Sequence, residues 1–246
     1  MSGKTDVSAF ERDGFAVVPQ LADAKDVAAM REAYDSILNG TINGGAFDRN
    51  LGDITRQIMI PHLIHPAFGD SPVIERARKV AGDLMGRQAP NLFYSMLIYK
   101  PPGHPHETPW HQDIAYVGRP FTEAGASVPN NAIVQFWLAL DDVDADMGCM
   151  EFVPGAHLHP MPAHHVASGD PDDEGRLLAT TDPESAYALD EAIVCPLRAG
   201  DATVHGYMTP HRTGPNRSED RDRPAFIFSF AEPEILQETA GRMEAQ

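Results

Sequence analysis

The sequence predicts a mostly β fold with flanking helices, in which the strands close into a double-stranded β-helix (a cupin-like jelly roll). The chain has 246 residues, enough for one domain with a full core. Short apolar runs separated by Gly, Pro and Asn predict many strands, and closing them into two packed sheets protects their edges. We therefore expect a single domain over 1–246, with a helical part at about 1–90, a jelly-roll core at about 91–231 and a polar tail at 232–246.

Composition narrows the class of protein. Hydrophobic residues make up 42% and charged residues 22% of the chain, which is ordinary for a globular protein. The net charge of −17 argues against a nucleic-acid partner, because phosphate backbones attract Lys and Arg. Two cysteines, Cys149 and Cys195, are too few for a disulfide framework. Without a signal-peptide pattern or a membrane-length apolar run, we expect a cytoplasmic protein with no membrane partner, whose oligomeric state the sequence leaves open.

Helices are predicted mainly before the core. A short helix at Val7–Arg12 leads into a strand at Phe15–Val18. The clearest helix spans Ala22–Leu38, because its apolar residues recur at helical spacing, and Asp23 is a candidate cap for its start. Another helix is predicted at Pro72–Met85, with apolar residues along one side.

Strands are predicted through the rest of the chain. They lie at 54–60, 92–99, 133–140, 150–153, 193–196 and 202–205. Because side chains alternate across a strand, the strand at 133–140 has an apolar face that should pack on the helices. That face contains Val134, Phe136, Leu138 and Leu140. The opposite face carries Gln135 and Trp137 and should look into the cavity.

Two polar stretches are expected to border this cavity. Residues 118–131 are rich in Gly, Pro and Asn, which predicts a loop forming one wall of the substrate mouth. Residues 157–190 form a long polar stretch that we interpret as a solvated lid. Its four histidines suit solvated positions better than a second metal site: His157, His159, His164 and His165.

The chemistry is predicted to centre on His111 and Asp113. Residues two apart in a strand point the same way, so these side chains should project together. An imidazole beside a carboxylate supplies two of the three ligands of a 2-His-1-carboxylate triad, which leaves one face of an iron ion open. The third ligand must come from elsewhere. His211 is the best candidate, and His205 is its rival.

The strand that begins at Arg223 has two different faces. One face is aromatic and contains Phe226, Phe228 and Phe230. The other face continues from Arg223 with smaller residues, which leaves volume for a ligand. The planar guanidinium of Arg223 suits a carboxylate, because it can bind both oxygens at once. Arg221 shares this parity but is expected in the preceding loop.

Four blocks of sequence carry a family resemblance over nearly the whole chain. They are 10–19 (FERDGFAVVP); 96–103 (MLIYKPPG) with 108–113 (TPWHQD); 136–142 (FWLALDD) with 148–150 (GCM) and 153–157 (VPGAH); and 200–201 (GD) with 211–218 (HRTGPNRS) and 223–225 (RPA). In this order the blocks resemble the phytanoyl-CoA dioxygenase family, a branch of the Fe(II)- and 2-oxoglutarate-dependent oxygenases.

The resemblance implies roles for the residues already singled out. His111, Asp113 and His211 match the iron ligands of the family. Arg223 matches the arginine that binds the distal carboxylate of 2-oxoglutarate. It lies twelve residues after His211, one more than the family pattern leads us to expect. Arg221 is therefore a rival, although the family's local Arg-x-Ala pattern favours Arg223.

Further residues are expected around the cosubstrate and the substrate. Thr213 matches a Ser or Thr that binds the same carboxylate, and Trp137 and Met96 match positions that line the cosubstrate pocket. Four residues are candidates for contacts with the substrate: Gln135, Arg56, Gln57 and His104.

The resemblance implies a dioxygenase that uses Fe(II), 2-oxoglutarate and O2 to hydroxylate a small molecule, releasing succinate and CO2. A carboxylate at Asp113 favours hydroxylation, since a small residue there would open a halide site. Two alternatives are a non-catalytic jelly-roll protein that binds a small ligand and a zinc-dependent hydrolase in the same pocket. Zinc could also bind His104 and His106 with His111. The identity of the substrate, including any CoA group, is not determined by the sequence.

Overall fold

The computed structural model describes residues 5–45, 48–51, 55–88, 90–117, 124–125, 128–170 and 177–231. Strands dominate this part of the chain. They are β1 Phe15–Val18, β2 Asp48–Leu51, β3 Thr55–Met59, β4 Asn91–Lys100, β5 Thr108–His111, β6 Ile133–Ala139, β7 Met150–Phe152, β8 His164–Val166, β9 Leu178–Thr180, β10 Ile193–Cys195, β11 Ala202–Gly206, β12 His211–Thr213 and β13 Arg223–Ala231.

The α-helices lie mainly before the core, as the sequence predicts. They are α1 Val7–Asp13, α2 Ala24–Leu38, α3 Pro66–Gly69, α4 Pro72–Met85 and α5 Pro183–Ala186. The prediction placed the start of α2 two residues too early. Asp23 is its N-cap: the carboxylate accepts the backbone N–H groups of Lys25 and Asp26, and the Asp26 side chain accepts that of Asp23. Within the described ranges, none of these helices has the length and apolar character needed to cross a bilayer.

Two antiparallel sheets enclose the inner core. The larger sheet has the order β1-β11-β6-β13-β4-β3-β2, and the smaller has the order β10-β7-β12-β5. They pack face to face, since Phe15 of β1 stacks on Phe152 of β7 with ring centroids 4.3 Å apart. This is the jelly-roll core that the sequence predicts.

Alternation along β6 and β13 separates the inner core from an outer one. The outer core joins the larger sheet to α2 and α4 and includes Phe136, Phe226, Phe228 and Phe230. The inner core faces the smaller sheet and includes Trp137 and Ile227, which pair in the β6–β13 register. The predicted strand faces are therefore confirmed. The side chains that alternate with the aromatic residues look into the space between the sheets.

The stretch from 157 to 190 differs from the predicted solvated lid. It contains β8 and β9, which form a two-stranded sheet, and the short helix α5. His157 and His164 are buried, whereas His159 and His165 are exposed. The difference arises because the segment packs its own apolar residues against the core, among them Met161 and Leu178.

Some predictions fall on residues outside the described part of the chain. Within the predicted loop at 118–131, only 124–125 and 128–131 are described. The predicted polar tail at 232–246 lies wholly outside, as does the first residue of the strand predicted at 54–60. Among the described residues that strand is β3, which ends at Met59, one residue earlier than predicted.

Replacing Phe228 with Ala should lower the free energy of unfolding by about 3–5 kcal/mol. The ring is fully buried and stacks on Phe136 at a centroid distance of 5.2 Å. Urea unfolding followed by circular dichroism measures the change. Leu63→Ala is the control, because Leu63 is 73% exposed and its loss should change stability by about 0.5 kcal/mol or less. Equal effects of the two substitutions would contradict this view of the outer core.

Candidate active site

Three buried side chains converge between the sheets. His111 ends β5, Asp113 begins a 3₁₀ turn at Asp113–Tyr116, and His211 begins β12. His211 lies opposite His111 in the β5–β12 register. One ligand atom from each residue lies within 4.8 Å of the other two, so the three can hold one metal ion. Among the described residues this is the single such group of His, Cys, Asp or Glu side chains.

The backbone between the first two ligands differs from the prediction. β5 ends at His111, so the expected strand does not continue through Asp113. Gln112 is nevertheless extended, with φ −120° and ψ 132°. One extended residue between His111 and Asp113 is enough to bring both side chains to the same side. The strand boundary was wrong, but the two side chains meet as the parity argument requires.

Backbone carbonyl groups orient both histidines. Nδ1–H of His111 donates to the oxygen of Pro109 at 2.8 Å, and Nδ1–H of His211 donates to the oxygen of Thr209 at 2.9 Å. With the proton on Nδ1, Nε2 keeps its lone pair for a metal ion. Burial, together with His111 nearby, holds the pKa of His211 well below its usual range. The ring is therefore neutral, as metal binding requires.

Two donors from the larger sheet hold the carboxylate of Asp113. Nε2 of Gln135 donates to Oδ2 at 2.6 Å, and Nε2 of His205 donates to the same oxygen at 3.2 Å. Burial by itself would raise the pKa of Asp113, but the nearby His211, His111 and His205 lower it below its usual range. His205, the rival for the third ligand, thus contacts Asp113 and lies outside the group of three.

Gln112 anchors the backbone between the ligands, a role that sequence reasoning missed. Its Nε2 donates to the carbonyl oxygen of Met208 at 2.6 Å, and its Oε1 accepts from the Tyr187 hydroxyl at 3.0 Å. Its backbone N–H donates to Nε2 of His164 at 3.2 Å, and Thr180 Oγ1 lies 3.3 Å from the same nitrogen. No local pattern could reveal this network, because three of the partners lie in the segment 157–190, far from Gln112 in the sequence. These partners are His164, Thr180 and Tyr187.

Arg223 lies in a second part of the site. Its side chain is 2% exposed, and its guanidinium carbon lies 5.4 Å from the centre of the Trp137 ring. Nε and Nη1 have no hydrogen-bond partner in the described structure. Arg221, in contrast, lies at the surface, with a guanidinium nitrogen 3.8 Å from an Asp144 carboxylate oxygen. Buried and unsatisfied donors indicate a missing acceptor, and a carboxylate fits a guanidinium best.

Lys100 is a second buried basic residue beside Arg223, and sequence reasoning missed it. The two residues pair in the β4–β13 register. The ammonium of Lys100 lies 3.0 Å from the oxygen of His106, 2.9 Å from that of Gly214 and 3.4 Å from Oγ1 of Thr213. A lysine before a Pro-Pro turn would ordinarily be expected at the surface. Its burial depends on strand pairing that the sequence does not display.

Two of the four substrate candidates, Gln57 and Gln135, lie on the inner face of the larger sheet. Nε2 of Gln57 lies 2.6 Å from the sulfur of Met96, and Met96 packs against the inner core. Gln135 is also inside, but its amide is fully engaged, since Oε1 accepts from the Ser229 hydroxyl at 2.9 Å. Gln135 therefore supports Asp113, and both ends of its amide have partners among the described residues.

The remaining two candidates do not face the metal group. Arg56 binds the carboxylate of Asp48 and carbonyl oxygens at the end of α2, so its side chain lies on the outer face of the sheet. This position does not support the predicted contact between Arg56 and a substrate. Side chains of β3 alternate between faces, and that of Arg56 points away from the cavity. His104 is buried beside Lys100, and burial lowers its pKa to about 4. Neither His104 nor His106 joins the group of three.

The family model for phytanoyl-CoA dioxygenase (PhyH) matches residues 10–225. The chain belongs to the phytanoyl-CoA dioxygenase family. Phytanoyl-CoA dioxygenase domain-containing protein 1 of Mus musculus is 28% identical over 177 residues, which cover 70% of this chain and 56% of that protein. The chain thus spans about half the length of the curated relatives it matches.

Solved structures agree with this assignment. EvdO2 from Micromonospora carbonacea var. aurantiaca, complexed with 2-oxoglutarate, has a TM-score of 0.75 and 31% identity, covering 94% of this chain and 92% of EvdO2. The epimerase SnoN, in complex with Fe3+, alpha ketoglutarate and nogalamycin RO, has a TM-score of 0.64 and 25% identity, covering 92% of this chain and 82% of SnoN. The shared fold is the jelly roll described above.

His211→Ala should weaken Fe(II) binding by more than about 100-fold, because one of three protein ligands is lost. His205→Ala should weaken it by only about 10- to 100-fold, since this residue acts through Asp113. Anaerobic titration with Fe(II) measures both affinities. His165→Ala is the control, because His165 is exposed and bonds only within the β8–β9 region. A larger loss in His205→Ala than in His211→Ala would exchange the roles of the two histidines.

Acid should destabilise the metal-free protein in part through His164. This ring accepts the Gln112 N–H while buried, and burial lowers its pKa to about 4. Because the folded pKa lies below the ordinary value of about 6.5, the stabilisation is complete above about pH 6.5 and is lost as the pH falls toward 4. His164→Gln should therefore flatten the pH dependence of the unfolding free energy, measured by urea titration, over this interval.

His165→Gln is the matched control for this substitution, since His165 is the exposed neighbour of His164. It should leave the slope of unfolding free energy against pH unchanged. If the His164→Gln slope equals that of the unmodified chain, the buried neutral ring is not a source of the acid sensitivity.

Proposed function

We propose that this chain is an Fe(II)- and 2-oxoglutarate-dependent oxygenase that hydroxylates a small molecule. One observation carries the proposal: a buried His-His-carboxylate group lies between the same two sheets as a buried arginine with unsatisfied donors. The first is the ligand set of non-haem Fe(II) oxygenases. The second is a buried guanidinium, which is suited to bind a carboxylate away from water.

The residues present fit both groups. Iron would be held by Nε2 of His111, Nε2 of His211 and the carboxylate of Asp113, which the hydrogen bonds described above orient. The distal carboxylate of 2-oxoglutarate would be held by Arg223, with the Thr213 hydroxyl as a further donor. Three protein ligands on one face leave positions for the keto-acid end and for O2.

When bound, iron and 2-oxoglutarate together supply the activation of O2, with oxidative decarboxylation of the cosubstrate to succinate and CO2. The protein contributes position and exclusion of water. Trp137 packs against the guanidinium of Arg223, and Met96 and Gln57 close the inner face nearby. Gln135 and His205 hold the Asp113 carboxylate in one orientation, which fixes where the open positions point.

Hydroxylation is the finer part of this proposal. The carboxylate of Asp113 supports it, because it occupies the position that a halide would need. An epimerase, SnoN, shares the fold, so a different oxidative outcome is the alternative that product analysis must separate. A small-ligand binding protein or a zinc hydrolase is less favoured, since neither needs both the group of three and a buried arginine with unsatisfied donors.

The first experiment adds Fe(II) and then 2-oxoglutarate to the protein without oxygen. We expect the weak visible charge-transfer band of an iron-bound keto acid. Arg223→Ala should raise the Kd for 2-oxoglutarate by roughly 100-fold, because the carboxylate loses a charged bidentate partner.

Arg221→Ala is the matched control, since Arg221 lies near the same strand but binds at the surface. It should change the Kd for 2-oxoglutarate by less than about threefold. Absence of the band, together with preferential binding of Zn(II), would overturn the oxygenase proposal. Succinate release with candidate substrates, followed by mass analysis of the products, then distinguishes hydroxylation from other outcomes.

A further inference from the structure

Two buried basic side chains lie side by side on the inner face of the larger sheet, without a carboxylate partner in the described structure. Lys100 and Arg223 are each 2% exposed and face each other across β4 and β13. Neither forms an ion pair with any described Asp or Glu. Burying one unpaired cation is unfavourable, and burying two neighbouring cations is more unfavourable because they also repel each other. The protein needs either an anion or the loss of a proton here.

The hydrogen bonds of Lys100 decide which proton can be lost. Its nitrogen has three partners: the carbonyl oxygens of His106 and Gly214, which can only accept, and the hydroxyl of Thr213. A charged ammonium has three donors and fills all three contacts. A neutral amine has two donors and one lone pair. It would keep both carbonyl bonds and would accept the proton of the Thr213 hydroxyl.

We propose that Lys100 is a positioning residue that takes up a proton when the distal carboxylate of 2-oxoglutarate binds, and so frees the Thr213 hydroxyl to donate to that carboxylate. The inference rests on the proposed function. One proton moves from solvent to Nζ of Lys100. The hydrogen bond between Lys100 and Thr213 then reverses direction, so that Nζ donates. The Thr213 hydroxyl donates its proton to the carboxylate oxygen instead of to Nζ. No covalent bond between heavy atoms changes.

The charges around Lys100 support this direction. Burial, followed by the neighbouring Arg223, lowers the pKa of Lys100 to about 6, and Glu107 opposes the shift weakly. The buried imidazole of His104 also lies near Lys100, and it contacts the ring of the exposed His106 edge-on. The guanidinium stays charged, because burial lowers the pKa of Arg223 only to about 10. Near neutral pH the protein without 2-oxoglutarate thus favours a neutral Lys100, and an incoming carboxylate raises the pKa of Lys100.

Calorimetry provides a test that does not depend on turnover. The Fe(II)-loaded protein is titrated with 2-oxoglutarate without oxygen, near pH 7.5, in two buffers with different ionisation enthalpies. The difference in heat gives the number of protons taken up. We expect about one proton per site for the unmodified chain, falling toward about zero near pH 5, where Lys100 is already charged before binding.

Three variants isolate the residue. Lys100→Arg keeps a permanent charge, so it should bind 2-oxoglutarate without proton uptake. Lys100→Met should bind at least about tenfold more weakly, also without uptake. Lys79→Met is the matched control, because Lys79 is exposed on α4, and it should behave as the unmodified chain does. The charge-transfer band checks in each case that 2-oxoglutarate has reached the metal.

The outcomes separate the two proposals. If the unmodified chain gives the band but takes up no proton, or if Lys100→Arg still takes up about one proton, the role of Lys100 is refuted while the oxygenase proposal stands. If the unmodified chain gives neither the band nor binding heat, the proposed function fails, and this inference fails with it. The measurement on the unmodified chain alone is decisive if Lys100→Met does not fold.

Discussion

The cost of placing charged groups between two packed sheets is the constraint on which this site depends. Asp113, Arg223 and Lys100 are all buried there, and an unpartnered charge in a protein interior costs several kcal/mol. These three residues differ in their hydrogen-bond partners. Asp113 receives two side-chain donors, and Lys100 reaches two carbonyl groups. Of these three, Arg223 alone keeps buried donors with no acceptor in the described structure. In the proposed function, this unsatisfied group binds the distal carboxylate of 2-oxoglutarate.

The two sheets divide the work of building the site. The smaller sheet supplies His111 and His211 on neighbouring strands, and the larger sheet supplies Arg223, Gln135 and His205 from three others. The two histidines of the candidate metal group lie on one wall, and the side chains that hold Asp113 lie on the other, so the cavity lies between the two sheets. A bound ion would then be fixed by the packing of the whole sandwich, because moving either sheet would break contacts on both sides.

Local physics explains what could be predicted. Strand parity assigned the faces of β6 and β13 correctly, because side chains alternate wherever the backbone is extended. The same rule brought His111 and Asp113 together even though β5 ends earlier than expected. Helix boundaries followed from capping, and the start of α2 was wrong by only two residues. In contrast, the segment at 157–190 was misread, because polar composition says little about which histidines pack inside.

By itself, the sequence determined the family, the jelly roll and the identity of the chemistry-bearing motifs, because these follow from short-range periodicity and from blocks of adjacent residues. Only the tertiary structure placed His211 opposite His111 and left His205 on Asp113. It also separated buried Arg223 from surface Arg221 and revealed Lys100. These outcomes depend on strand register and sheet packing between residues far apart in the chain. Local patterns favoured His211 and Arg223, but they could not show that Lys100 is buried or that His205 contacts Asp113, because those facts depend on which strands pair.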